Sequence, residues 1–471
     1  MAMESKLHIA MLPWSAFGHI IPFLELAKFI AKKGHTITFL STPRNIDRLP
    51  QIPSHLAASI TFVKLPFHKV DGLPENAEAT MDISTPLQMS LLKKAHDGLE
   101  PELIRFLESA HPDWFIHDFS SHWVQPAARN LGVSTAFFSI INAWTYGFFG
   151  PTDMLINGTD TRCKVEDFIV PPKWVPFESK VAFKIHEAHW VMGAVKENES
   201  GASDTYRVGM ISKNSDVIIF RHCYEFEGQW LNLLNEMYYC PVIAGGLMPP
   251  QMGDSSNDNT EPWISIKQWL DGQKQSSVLY VALGSEVSPS QNDITELALG
   301  LELSNVPFFW VLRNSSQSGK SGNSLELPDG FEERVKGRGM VWKNWAPQLK
   351  ILSHDSVGGF LTHCGWGSLI EGLMFGHPLV MLPFVTDQGM NARVIEDKQA
   401  GMEVPRNEQD GSYTSNSVAE TVKLVMVEDE GKKFKEKAKE LGKIFGNREL
   451  HDAYLHKVVE YLVEFRHKSN E

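Results

Sequence analysis

Short runs rich in Val, Ile, Phe and Trp recur along the chain, separated by longer stretches whose apolar residues fall at helical spacing. The first pattern suits strands buried on both faces, and the second suits the helices that cover them. His8–Trp14 reads as the opening strand. Pro22 then stands at what reads as the first position of a helix, where a missing N–H is harmless. Phe23, Leu26, Ala27 and Ile30 form its apolar face before Lys32-Lys33-Gly34 closes it. Thr36–Leu40, Ile60–Leu65, Trp114–His117, Ser134–Ile140, Val217–Phe220 and Pro241–Ala244 continue the strand series. From Gly245 to Pro262 the periodicity stops, and Met-Pro-Pro and a polar run of Gly, Asp, Ser and Asn read as a linker. A second series follows with Val278–Leu283, Pro307–Leu312, Met340–Trp342, Gly359–Thr362, Leu379–Pro383 and Met402–Val404, spaced by helical stretches such as Asp293–Leu303. Asn314–Ser324 reads as a mobile Ser/Gly/Asn loop, and Leu455, Val458, Val459, Leu462 and Phe465 form one face of a closing helix.

Strands alternating with helices predict parallel sheets with crossover connections, an α/β architecture of two Rossmann-like halves. The expected division is residues 1–244, a linker at 245–262, a second domain at 263–449, and a C-terminal helix at 450–471 packing back on the first domain. Composition agrees with a packed body, since 42% of the 471 residues are apolar and 21% charged. A net charge of −13 offers no footprint for a nucleic acid or an anionic membrane, so neither is an expected partner. The Lys432–Lys443 run is interleaved with Glu436 and Glu440, as a solvated helix face would be. Leu131–Thr152 is uncharged and long enough to span a bilayer, yet Gly147, Gly150, Pro151 and its hydroxyl residues make it a buried strand with a loop or helix. Cys163, Cys223, Cys240 and Cys364 form no C-x-x-C pair, and no secretion signal is read at the N-terminus. A cytoplasmic, monomeric protein with reduced thiols is expected.

Candidate chemistry narrows further. The first strand is followed by Pro13-Trp-Ser-Ala-Phe-Gly18-His19, without the G-x-G-x-x-G of a dinucleotide fold. Gly319-Lys320-Ser321 ends like a P-loop but lacks its first glycine and a leading strand. Trp345–Gln388 is denser. There a strand breaks at His363-Cys364-Gly365 into a helix beginning near Trp366–Ser368, and such a helix end favours an anion such as a diphosphate. Ser368 and Glu371 also fit a capping box, and Trp345 and Trp366 fit ordinary packing aromatics. A histidine in a βα loop, such as His19, is likewise more often structural than catalytic.

Trp345–Gln388 resembles the signature box of plant UDP-dependent glycosyltransferases, agreeing in length from W-x-P-Q to D-Q. The resemblance implies a GT-B fold, two Rossmann-like domains facing across a cleft, with a UDP-sugar donor and a small-molecule acceptor. It further implies that Trp345 stacks on uracil, with Ala346 and Gln348 beside the nucleoside, and that Glu371 holds the ribose. By the same resemblance His363, Ser368 and Ser285 contact the diphosphate, while Trp366, Asp387 and Gln388 hold the sugar. Gly367 stands where the family usually has Asn, which leaves only a backbone N–H there. Gly18-His19 and Phe115-Ile-His-Asp118 match the family's base and its acidic partner. Thr42–Pro50, Pro171–Pro176 and His363–Gly367 look most like plant family 91, in which many members attach a sugar to a sugar already on a terpenoid or flavonoid.

The implied chemistry is an inverting displacement. His19 takes the acceptor proton, Asp118 holds the imidazole, and UDP leaves toward the helix end. Gln388 points to UDP-glucose by the family's association of Gln with glucose, although related enzymes use UDP-rhamnose or UDP-xylose. No Asp-x-Asp triad suggests a metal, so neither a metal nor another cofactor is expected. Trp14, Phe17, Phe119, Ser139 and Trp144 are candidates for the acceptor pocket, with core packing an equal explanation for the aromatic ones.

Overall fold

In the computed structural model, which describes residues 6–252, 261–312 and 325–466, the β-rich runs pair into two wholly parallel sheets. The first contains β1 (His8–Leu12), β2 (Thr36–Ser41), β3 (Ile60–Lys64), β4 (Trp114–His117), β5 (Ser134–Ser139), β6 (Val217–Phe220) and β7 (Val242–Ala244). Their order is β3-β2-β1-β4-β5-β6-β7. The second contains β8 (Val278–Ala282), β9 (Phe308–Val311), β10 (Gly339–Trp342), β11 (Val357–Thr362), β12 (Leu379–Met381) and β13 (Gly401–Glu403), ordered β10-β9-β8-β11-β12-β13. Each sheet runs outward from its first strand on one side and then on the other, the Rossmann order. Parallel neighbours need crossovers, which helices such as Phe17–Lys32 and Gln291–Ser304 provide. Helices on both faces bury Ile9, Ala10, Met11, Leu279 and Val281 completely, which is why these strands are apolar without alternation.

Several boundaries differ from the sequence reading. β1 ends at Leu12, leaving Trp14 in the following loop, and the next helix starts at Phe17, so His19 is in its first turn and Pro22 lies inside it. The proline is tolerated because the carbonyl it leaves without a donor is that of Gly18, in an exposed turn. The linker is shorter than expected: 245–252 has no regular structure, but a helix begins at Glu261 with Pro262 in its first turn. Most of the linker's polar run and the Asn314–Ser324 loop, including Gly319-Lys320-Ser321, lie outside the described residues. Leu131–Thr152 holds β5 and the helix Ala143–Phe149, and no described helix is long and apolar enough to cross a membrane.

The halves meet through an apolar seam stitched by polar contacts. Trp144 packs edge-on against Trp366 with ring centroids 5.1 Å apart. Arg393 of the second half donates to the Ala182 carbonyl at 2.7 Å and pairs with Glu187, while Lys184 pairs with Glu403 at 2.8 Å. The closing helix, Arg448–Glu464, crosses back and sets Leu455, Val458 and Leu462 among the residues of the first sheet's core. There the Trp114 indole N–H donates to the Leu462 carbonyl at 2.7 Å.

Leu462 is fully buried in that contact. Replacing it with Ala leaves a cavity, so Leu462→Ala should lower unfolding free energy in urea by about 2–5 kcal/mol. A loss well below that range would show that the closing helix adds little to the first half.

Candidate active site

In each half the chain leaves two central strands side by side at the point where strand order reverses, the crevice in which open α/β sheets hold ligands. In the first half these strands are β1 and β4, with Leu12 level with His117. The segments that follow therefore converge. The Asp118 carboxylate, 2% exposed, accepts the Trp14 N–H at 3.0 Å, the Phe119 N–H at 2.7 Å and His19 Nδ1 at 2.8 Å. His19 keeps 15% of its side chain exposed. With Nδ1 donating to the carboxylate, Nε2 carries the lone pair, which makes it the basic nitrogen.

Phe119 and Phe17 are the partly exposed members of the expected acceptor pocket. The Phe119 ring centroid lies 5.9 Å from that of His19, and Phe17 packs at the edge of the first sheet's core. The other three are otherwise employed. Trp14 is buried edge-on against His96 and Phe119, and its backbone N–H is the one that Asp118 accepts. Buried Ser139 donates to the Ile141 carbonyl at 2.8 Å. Trp144 is wholly buried in the seam, its indole N–H donating to Asn391 Oδ1 at 3.0 Å. In the structure all three are held by packing and hydrogen bonds within the protein.

In the second half the reversal lies between β8 and β11, with Ala282 level with Thr362. Ser285 is exposed in the turn after β8. The buried His363 ring lies between two glycines, since a Cβ at Gly284 or at Gly365 would come within 2.6 Å of it. Its Nδ1 is buried without a partner among the described residues. Burial pushes its pKa down to about 4, so at neutral pH it offers hydrogen bonds and no charge. The helix Trp366–Met374 starts beside it with Gly365 as N-cap and no side-chain cap. The expected Ser368–Glu371 cap is thus absent. Ser368 lies within the first turn and Glu371 a turn further on, so the end N–H groups remain open to an anion.

Glu371 accepts from Gln348 Nε2, and Tyr280 O–H donates to Gln348 Oε1 at 3.0 Å. Burial raises the Glu371 pKa, with Gln348 and then Arg221 opposing it. Trp345 is 65% exposed, which excludes the packing reading, and its carbonyl accepts from the Trp342 indole at 3.0 Å. Ala346 beside it is buried. Trp366 goes the other way. Its buried indole donates to the Arg221 carbonyl at 2.9 Å, which places the ring in the seam between the halves. Gly367 is open, with only Arg221 Nη1 within 4 Å of a Cβ placed there.

Asp387 and Gln388 close this half of the site. The Asp387 carboxylate accepts from Thr386 Oγ1 at 3.0 Å, Asn391 Nδ2 at 2.9 Å and, from the first half, Asn142 Nδ2 at 3.4 Å. Burial raises its pKa, opposed first by the Asn391 and Thr386 hydrogen bonds and last by His19, which places the imidazole of the first half within electrostatic reach of this carboxylate. Gln388 Oε1 accepts the N–H groups of Phe384 and Val385 at 2.9 and 3.0 Å, which leaves Nε2 as its donor end. Asn142, Asn391 and Arg221 were missed in the sequence. Asn391 alone had a signal, four residues after Asp387 on the same helical face. Among the described residues, no cluster of three or more His, Cys, Asp or Glu side chains is arranged to hold a metal ion.

Residues 243–470 match the family model described as "UDP-glucoronosyl and UDP-glucosyl transferase". The chain is 50% identical over 461 residues to UDP-glycosyltransferase 91D1 of Stevia rebaudiana, covering 98% of this chain and 93% of that one. It is 43% identical over 471 residues to Soyasaponin III rhamnosyltransferase of Glycine max, covering 98% and 97%. Its fold is similar to that of Phytolacca americana UGT2 complexed with UDP-2fluoro-glucose and pterostilbene, with a TM-score of 0.75, 26% identity and coverage of 97% and 100%.

Burial brings the pKa of each of His96, His117, His222 and His363 down to about 4 from an ordinary 6.5. Between these values the unfolded chain binds protons that the folded chain refuses. Stability from these residues is therefore complete above pH 6.5 and is lost as pH falls toward 4. Thermal midpoints across that window should decline steadily, and a flat profile would contradict the burial of these rings.

Proposed function

The chain belongs to the plant UDP-glycosyltransferases and resembles their family 91, and from that premise we propose that it moves glucose from UDP-glucose to a hydroxyl of a sugar already carried by a terpenoid or flavonoid. The site assignment rests on the His19–Asp118 pair of one half, whose imidazole is within electrostatic reach of Asp387 in the other. A weak hydroxyl nucleophile needs a base where it attacks, and the anomeric carbon must lie nearby. In this reading Asp387 and the Gln388 amide bind the sugar's hydroxyls, which sets C1 between them and His19.

His19 Nε2 takes the acceptor proton as the acceptor oxygen attacks C1. Asp118 fixes the ring through Nδ1 and balances the imidazolium that forms. The bond from C1 to the phosphate oxygen breaks on the opposite face, its electron pair leaves with UDP, and the anomeric centre inverts. Neutral His363, the Ser285 and Ser368 hydroxyls and the open helix end receive that charge without a divalent ion. Trp345 offers an exposed indole face for uracil, with Ala346 at its side, and the Gln348–Glu371 pair presents a carboxylate to the ribose.

The sugar and acceptor rest on the likeness to family 91 and on Gln388. A rhamnosyl donor is the second reading, because a relative 43% identical is named a rhamnosyltransferase. Ranking UDP-sugars by kcat/KM on matched aglycone and monoglucoside pairs tests both choices. UDP-glucose and the monoglucosides should rank first, and a clear preference for UDP-rhamnose or for free aglycones would overturn the corresponding half.

General-base catalysis contributes roughly 10²–10⁴-fold, so His19→Ala should raise the barrier by about 3–5 kcal/mol. UDP binding should persist, because His19 serves the acceptor. Asp118→Asn should lose less, since the imidazole remains. Turnover and UDP affinity measured for both variants check this, and near-wild-type turnover in the alanine variant would remove His19 as the base.

A further inference from the structure

A nucleoside diphosphate is multiply anionic, yet the groups placed around it above are a neutral imidazole, two hydroxyls and a helix end. Arg221 brings a full charge to the same place from the other half. It follows β6 at the C-terminal edge of the first sheet, and 7% of it is exposed. Its Nε donates to the Leu247 carbonyl at 2.8 Å and its Nη2 to the Met248 carbonyl at 3.2 Å, which fixes the guanidinium plane. Nη1 has no acceptor among the described residues. It points to the first turn of the Trp366–Met374 helix, 3.7 Å from where a Cβ at Gly367 would stand. The Arg221 carbonyl accepts the Trp366 indole N–H, so backbone and side chain both meet this helix end.

Burial lowers the Arg221 pKa to about 10, with Glu371 and Glu25 opposing, so the side chain remains a cation at neutral pH. Nη1 is not among the buried nitrogens left without a partner, so it keeps a path to solvent through which an anion could reach it. Gly367 has no positive φ to require a glycine, and a Cβ would clash with nothing. The space in front of it is instead what separates Nη1 from the open helix end.

We propose that Arg221 is a diphosphate ligand contributed by the N-terminal half, its Nη1 donating to a phosphate oxygen of UDP in the space Gly367 leaves open. The inference rests on the UDP site proposed above. Its consequence is that the donor is held by both halves, so UDP binding itself favours their closed arrangement.

Arg221→Lys tests this directly. A lysine keeps the charge and reaches the Leu247 and Met248 carbonyls, but it ends short of Gly367. Calorimetric titration of wild type and variant with UDP and with uridine should show UDP weakened roughly 10- to 100-fold and uridine unchanged. Arg221→Gln should show at least the same selective loss, and thermal unfolding identifies which variant keeps its fold. Unchanged UDP affinity in the lysine variant would overturn the proposal, as would equal loss of UDP and uridine in a folded variant. A wild-type protein that binds neither compound would instead remove the UDP site on which the proposal stands.

Discussion

One buried amide sets the geometry on which the rest of the site depends. Asn391 Oδ1 accepts from Asn142 at 2.6 Å and from the Trp144 indole at 3.0 Å, both in the first half. Its Nδ2 donates to the Cys364 carbonyl at 3.0 Å and to Asp387 at 2.9 Å, both in the second. All four of its hydrogen-bonding positions are thereby used, in a place closed to water. An amide so saturated is specific, because shifting either half strands several buried polar groups at once, each at a cost of about 1–3 kcal/mol. Asn391 thus holds the turn before the Trp366–Met374 helix, the carboxylate proposed to grip the sugar and the segment that follows β5 in one register.

The chemistry then follows from where parallel sheets put their loops. Both halves collect their functional side chains at the reversal of strand order, and the seam turns these two edges toward each other. The edge of the first half carries an imidazole with exposed area and a carboxylate with three donors. The edge of the second half carries a neutral His363, with Glu371 and Asp387 whose pKa values burial raises. Such an edge is short of positive charge, which makes the guanidinium of Arg221 significant.

How much of this could be read from the sequence depends on whether the cause was local. Strand centres were legible because burial on both faces leaves unbroken apolar runs, as at Val217–Phe220 and Val278–Ala282. The helix start at Phe17 was misread because its cap, Ala16, carries no side-chain signal and Pro22 imitates one. Trp345–Gln388 stood out because its residues are contiguous. Asn142 and Asn391, by contrast, are 249 positions apart, and neither sits in a pattern that announces the other. Arg221 was hidden for the same reason. Trp144 and Trp366 likewise carry no signal in sequence of the seam in which their indoles meet, because only the packing of the two halves creates it.

In the proposed reaction the two sheet edges bring His19 to the anomeric carbon of a sugar held by Asp387. A ternary crystal structure with a non-transferable UDP-sugar analogue and a glycoside acceptor tests it most directly. The acceptor hydroxyl should lie about 3 Å from His19 Nε2, opposite the phosphate across C1. An acceptor hydroxyl seated away from His19, with the sugar held by residues other than Asp387 and Gln388, would contradict the account.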